Sequence, residues 1–149
     1  MPLFSAKLDY ALRATVDIAE QPRYLACQSR EIALRQNIRG PYLDQILAVL
    51  KREGIIRSIR GAGGGYTLAR PARHITVAEI VRAIVGGQLL ISGLPQPLDP
   101  TGVNAAYVIR ELEEKLEEQL SHTLDNMTLA DLVLQKQRLE EAMSIMPSI

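Results

Sequence analysis

The chain has one cysteine in 149 residues, two histidines, one phenylalanine and no tryptophan. A single thiol, Cys27, excludes an intramolecular disulfide framework and any metal site built from several cysteines of one chain. With aromatics at 4%, the core has to be aliphatic. No run reaches the roughly 18 apolar residues that a membrane span needs. The start, Met1-Pro2-Leu3-Phe4-Ser5-Ala6-Lys7, lacks the basic-then-apolar order of a signal peptide. The expectation is a cytoplasmic protein with no membrane partner. His74 and His122 lie far apart, and no local nucleophile motif accompanies them. The acids of 111–118 crowd one helix surface and read as a solvated face. An enzyme is therefore not expected.

Apolar residues make up 47% and charged residues 23%, the composition of a folding chain. The length suits one domain, or a small domain with a dimerisation arm. The net charge of zero conceals an asymmetry. Residues 1–86 hold 13 Lys+Arg against 7 Asp+Glu, whereas 87–149 hold 4 against 10. A front at +6 and a back at −6 point to an anionic partner for the front alone.

Periodicity predicts a helix over 5–20, capped by Ser5, with Leu8, Leu12, Val16 and Ala19 or Ile18 inward. Ser29 can cap a short second helix with Ile32 and Ala33 inward, ended by Asn37. Gly40-Pro41 opens a third, since proline suits the first helical position. Its inward stripe is Leu43, Ile46, Leu47 and Leu50, and Gly54 stops it. The period then changes. Residues 55–60 and 66–70 read as two strands around the turn Gly61-Ala62-Gly63-Gly64-Gly65, a β-hairpin closed by Pro71. Thr76 and Glu79 form a capping box for a fourth helix, which carries Ile80, Val81 and Ile84 and ends at Gly86-Gly87. Four glycines and three prolines between 86 and 103 make a linker. A long helix follows from Val103 to about His122, with Ala105, Ile109, Leu112, Leu116 and Leu120 on one face. Thr128 and Asp131 open a last helix to about Ala142.

Three short helices and a hairpin outline a winged helix-turn-helix: mainly α, with a small β wing and a long dimerisation helix behind. The division is a DNA-binding domain over 1–86, a linker over 87–102 and a helical dimerisation region over 103–149. In such a motif the second helix of the pair, here 29–36 and 41–53, enters the major groove. Its outward residues are Tyr42, Asp44, Gln45, Ala48, Lys51 and Arg52. Glutamine can pair with adenine, and lysine or arginine with guanine or phosphate. Lys51, Arg52, Arg57, Arg60, Arg70 and Arg73 crowd the following stretch against one acid, Glu53. A glycine-rich tip, Gly63 and Gly64 included, flanked by arginine suits a narrow minor groove. A phosphate cradle for a nucleotide would need a helix after the glycines, and a strand follows instead.

The residues that carry a family likeness are Tyr42-Leu43-Asp44-Gln45-Ile46, Leu50-Lys51-Arg52-Glu53-Gly54-Ile55-Ile56 and the wing Ser58-Ile59-Arg60-Gly61-Ala62-Gly63-Gly64-Gly65-Tyr66. Thr76-Val77-Ala78-Glu79-Ile80 and Thr128-Leu129-Ala130-Asp131-Leu132 add two further landmarks. The chain resembles the Rrf-two family of bacterial winged-helix regulators, which includes the iron–sulfur cluster regulator. The likeness implies a homodimer whose long helices cross, and binding to a palindromic operator in double-stranded DNA. It implies that Tyr42 and Gln45 lie in the recognition helix and that Arg60 reaches a minor groove.

Two departures stand out. Well-known members carry three linker cysteines that hold an iron–sulfur cluster, and residues 86–103 here contain neither Cys nor His. No cofactor is expected; a cluster would need atypical ligands, because thiolates are its usual ones. The family also often has basic residues near its start, where this chain has Leu8 and Asp9 beside Lys7. Cys27 reads as a small core residue, with a redox-sensing thiol or an unusual ligand as the functional alternatives. Arg23 and Arg30 are its nearest cations in sequence. The expected function is a dimeric, sequence-specific DNA-binding transcription regulator, responding to an effector protein, a small ligand or oxidation of Cys27. The dimer seam is Ile109, Leu112, Leu116 and Leu120. Its rivals are a winged-helix protein-interaction module that binds no DNA, and a cluster-binding redox or iron sensor.

Overall fold

A computed structural model describes residues 3–87, 89 and 104–145. Most of the expected linker lies outside them. Helix α1 spans Ala6–Glu20, α2 Ser29–Gln36, α3 Gly40–Arg52, α4 Val77–Val85, α5 Ala105–Asp125 and α6 Leu129–Ile145. Strands β1 (Ile56–Ile59) and β2 (Gly65–Leu68) form the hairpin. The mainly helical winged architecture is the one expected.

The ends of these elements follow local chemistry. Ser5 caps α1, its hydroxyl accepting from the Leu8 N–H at 3.3 Å. Ser29 does not cap α2. It is the first helical residue, after Gln28, and no side chain serves as the cap. Asn37 ends α2 at φ 53°, in the left-handed region that asparagine tolerates. There the Ile38 N–H returns to the Ala33 carbonyl at 3.0 Å, and Ile38 is buried. Helix α3 ends the same way. Gly54 has φ +74°, the Ile55 N–H reaches the Leu50 carbonyl at 3.0 Å, and Ile55 and Leu50 are both buried. Both are Schellman closures with their apolar contact. The first sets the turn between α2 and α3, and the second aims β1 straight off the end of α3.

Helix α1 is the centre of the head, packed by α2, α3, α4, α6 and β2. Covering on so many sides turns and widens its buried arc. Leu8, Ala11, Ala14, Thr15, Asp17 and Ile18 are buried, while the expected Leu12, Val16 and Ala19 are half-buried. The main core gathers Ile18, Ile32, Leu43, Leu47, Leu50, Ile56, Ile80 and Leu129. A second core joins Leu8, Val77, Val81 and Leu89 to half-buried Leu120, Leu124 and Met127.

Both expected capping boxes form. Thr76 and Glu79 satisfy each other's amides at 2.8 and 3.1 Å, and Thr128 and Asp131 do so at 2.9 and 3.1 Å. The two helix starts also pair with each other. The Val77 N–H donates to the Met127 carbonyl and the Leu129 N–H to the Ile75 carbonyl, both at 2.8 Å. Helix α6 is thereby stitched to the head, and Lys136 on α6 meets Glu20 on α1 at 2.9 Å.

Candidate nucleic-acid interface

Pro41 and Tyr42 stand in the first turn of α3, whose buried stripe is Leu43, Ile46, Leu47 and Leu50, as expected. That stripe leaves Asp44, Gln45, Ala48, Lys51 and Arg52 exposed on the opposite side. Lys51 and Arg52 sit at the helix C-terminus, where the helix dipole favours cations. Tyr42 is half-buried. Its ring meets that of Tyr10 edge-to-face, with centroids 5.6 Å apart.

The wing pairs Ile56 with Leu68, Arg57 with Thr67, Ser58 with Tyr66 and Ile59 with Gly65. Arg57 and Arg60 are exposed, as is Gly63 at the tip. The glycines of the turn are not equivalent. A Cβ on Gly64 would stand 2.4 Å from the Ile59 carbonyl oxygen, whereas one on Gly63 would meet nothing within 4 Å. Gly64 therefore closes the turn, and Gly63 leaves backbone open to a partner. Gly65 has φ +149°, and a Cβ there would lie 2.4 Å from the Cys27 carbonyl oxygen.

That close approach exists because β2 is paired on both edges. The Cys27 N–H donates to the Tyr66 carbonyl at 2.8 Å, and the Tyr66 N–H to the Cys27 carbonyl at 2.7 Å. Sequence spacing held no sign of this bridge. Cys27 is thus a wing-anchoring residue whose side chain is buried in the core. Burial, reinforced by the nearby Asp17 carboxylate, pushes its thiol up despite Arg35 beside it. The cation that acts on the thiol is Arg35, not Arg23 or Arg30.

Arg70 does not join the exposed cations. Its guanidinium donates to Glu79 at 3.0 Å and to the His74 carbonyl at 2.7 Å. A second feature also escaped sequence reasoning. Asp17, only 3% exposed, accepts from Arg35 Nε at 2.9 Å, Arg35 at 2.7 Å and Gln36 at 2.9 Å. Arg13 donates to the Gln36 carbonyl at 3.0 Å, and its guanidinium lies 4.7 Å from the Tyr10 ring centroid. Four charged or amide side chains so tie the last turn of α2 to α1. The one signal available was an acid, Asp17, inside an otherwise apolar helical stripe.

Behind the head, α5 begins at Ala105, two residues later than expected, because the Asn104 side chain caps it by accepting from the Tyr107 N–H at 3.1 Å. It runs on to Asp125. None of its residues is fully buried. Ile109, Leu112 and Leu116 are 51%, 50% and 48% exposed. The side chains of Arg110 and Glu113, expected on the solvated face, are only 25% and 23% exposed. Within one chain the apolar line faces outward, while Glu111, Glu114, Lys115 and Glu118 of the expected solvated face are exposed as well. Leu120 differs from the other three, since it packs on its own chain's second core. Leu139 and Met143 on α6 add exposed apolar surface. Among the described residues no group of three or more His, Cys, Asp or Glu side chains could hold a metal ion, and no helix is long and apolar enough to cross a membrane. A buried thiol with a raised pKa is a poor cluster ligand, so this donor set does not fit an iron–sulfur group.

Comparison with known proteins agrees with this geometry. The Rrf2 family profile, described as an iron-dependent transcriptional regulator, matches residues 4–135. A candidate HTH-type transcriptional regulator of Synechocystis sp. is 34% identical over 128 residues, covering 86% of this chain and 85% of that protein. The regulator IscR of Cereibacter sphaeroides is 43% identical over 82 residues, 54% of this chain and 53% of its own. Among solved structures, CymR, the global cysteine regulator of B. subtilis, superposes with a TM-score of 0.73 at 29% identity, covering 89% of this chain and 96% of its own. IscR of T. potens superposes with a TM-score of 0.69 at 32% identity, covering 97% and 92%.

Proposed function

Since this chain belongs to the Rrf2 family of transcriptional regulators, we propose that it acts as a homodimer on a palindromic operator. Helix α3 enters the major groove and the wing tip enters the flanking minor groove. The observation that supports this reading is the exposed set Gln45, Lys51 and Arg52 on α3, Arg52 lying 3.6 Å from Glu53, together with Arg57 and Arg60 on the wing that follows. Gln45 reads a base edge. Lys51, Arg52 and Arg57 take phosphates, and Arg60 follows the minor groove with Gly63 at its tip. The outward line Ile109, Leu112 and Leu116 supports a dimer, because a second copy would remove those side chains from water. Two heads on one seam match two half-sites. A regulator of transcription works beside the chromosome, in the bacterial cytoplasm.

The regulator works without an iron–sulfur cluster. The linker sequence supplies no Cys or His, and the one thiol is buried. Protein purified without oxygen should contain no stoichiometric iron or sulfide, and finding both would reverse this part of the reading.

Selection of bound duplexes from a randomised library, followed by titration at several salt concentrations, tests the main proposal. The expected result is one enriched palindrome whose affinity falls steeply with salt, as phosphate neutralisation requires. A winged-helix module that binds only protein would enrich no sequence and show no salt-dependent duplex binding.

A further inference from the structure

Tyr42 is held from outside its own helix. Its ring meets Tyr10 of α1 at an interplanar angle of 80°, with centroids 5.6 Å apart. The edge-to-face arrangement is the one aromatic quadrupoles favour. Tyr10 is fixed in turn. The Arg13 guanidinium lies 4.7 Å from its ring centroid, within the range of a cation–π contact. Arg13 is pinned at 3.0 Å to the carbonyl of Gln36, in the last turn of α2. The Gln36 amide donates at 2.9 Å to buried Asp17, which Arg35 also grips. Both helices of the helix-turn-helix are therefore referenced to α1, α2 through Asp17 and α3 through Tyr10. Pro41 removes one backbone donor from the first turn of α3, and α3 has no side-chain cap. The tyrosine pair instead packs that turn against α1 through side chains.

We propose that Tyr10 is a positioning residue for operator specificity: it holds the Tyr42 ring, and with it the first turn of the recognition helix, in the one orientation that reads base edges. The proposal rests on the DNA-binding reading above. Tyr10 acts through Tyr42 and contributes nothing to phosphate attraction, so its loss alters discrimination and spares general affinity.

The experiment compares wild type with Tyr10→Phe, Tyr10→Leu, Tyr42→Ala and the Tyr10→Leu/Tyr42→Ala double variant. Each is titrated at one salt concentration against the duplex that wild type enriches and against a scrambled duplex of equal length. Leucine keeps the apolar bulk that packs on the core and removes the aromatic edge. Circular dichroism and the melting temperature verify folding. Tyr10→Leu should lower the ratio of selected to scrambled affinity about three- to tenfold, the factor an aromatic pair supplies, with scrambled affinity unchanged. Tyr10→Phe should keep the wild-type ratio, because the ring remains. The double variant should match Tyr42→Ala alone. An unchanged ratio in Tyr10→Leu, equal losses on both duplexes, or effects of Tyr10 and Tyr42 that multiply would each overturn the positioning role while leaving the DNA-binding reading intact. A wild type that enriches no duplex would overturn that reading, and this one with it.

Discussion

On the proposed reading, Arg60 and Gln45 would make two different kinds of contact. Arg60 precedes the glycine turn and is free of any described ion pair, so its charge is available to a partner. Replacing it with alanine should weaken operator binding by about 1–3 kcal/mol in a titration at fixed salt, the range of one good specific contact. Unchanged affinity would remove the wing from the interface. Gln45→Ala should instead narrow the gap between operator and scrambled DNA, because a base contact discriminates and a phosphate contact does not. A uniform loss on every sequence would count against base reading. Cys27 calls for a different measurement. Its buried thiol, pushed up by burial, should react with iodoacetamide far more slowly in the native protein than in urea. Equal rates would favour the redox role over that of a core residue.

The start of α4 is the element on which wing and rear helices converge. Glu79 closes its capping box and receives Arg70 from the end of the wing strand. Burial alone would raise the Glu79 pKa. The Thr76 N–H and the Arg70 guanidinium outweigh it and hold the carboxyl below its usual range. A group depressed in the folded state adds stability above its unfolded pKa, about 4.3, and loses it as pH falls through the lower folded value. The melting temperature should therefore drop through that acid window, and Glu79→Gln should flatten the drop. An identical pH slope in the variant would show that Glu79 plays no part. At neutral pH, Thr76→Ala should cost about 1 kcal/mol in urea unfolding, the usual worth of a side-chain cap.

At the scale of the whole molecule, charge and apolar surface are segregated along the chain. The head carries the positive surplus and the rear the negative one, so on the proposed reading like charge would keep the acidic helix away from DNA. The outward leucines are the counterpart of that arrangement. Burying one Leu removes enough apolar area to yield roughly 1.5–3 kcal/mol, whereas a carboxylate in its place would be stranded in the seam. Leu116→Glu should sediment as a monomer and lose operator binding with it. A variant that still sediments as a dimer would put the seam elsewhere, with Leu139 and Met143 of α6 the next surface to examine.

Among the described residues the six α-helices and the hairpin were legible mostly from local causes, whereas the short 3-10 turn Ala72–His74 and the uncapped start of α2 were not. Ser5 and the two T-x-x-acid boxes start helices, Asn37 and Gly54 end them, and five residues of a glycine-rich turn forbid anything but a reversal. The exposed face of α3 was equally legible, since the buried stripe Leu43, Ile46, Leu47 and Leu50 dictates its opposite side. What stayed hidden depends on residues distant in the chain. The second partner of β2 is Cys27, nearly forty positions earlier, and no spacing rule reaches that far. The same holds for Arg35 on Asp17 and for Tyr10 against Tyr42, while Arg70 turns to Glu79 nine residues on, across the junction between wing and α4. The direction of the α5 leucines belongs here too. Helical period shows that Ile109, Leu112 and Leu116 share a face, but packing on the head selects which face turns inward, and it selects the one bearing Arg110, Glu113 and Leu120.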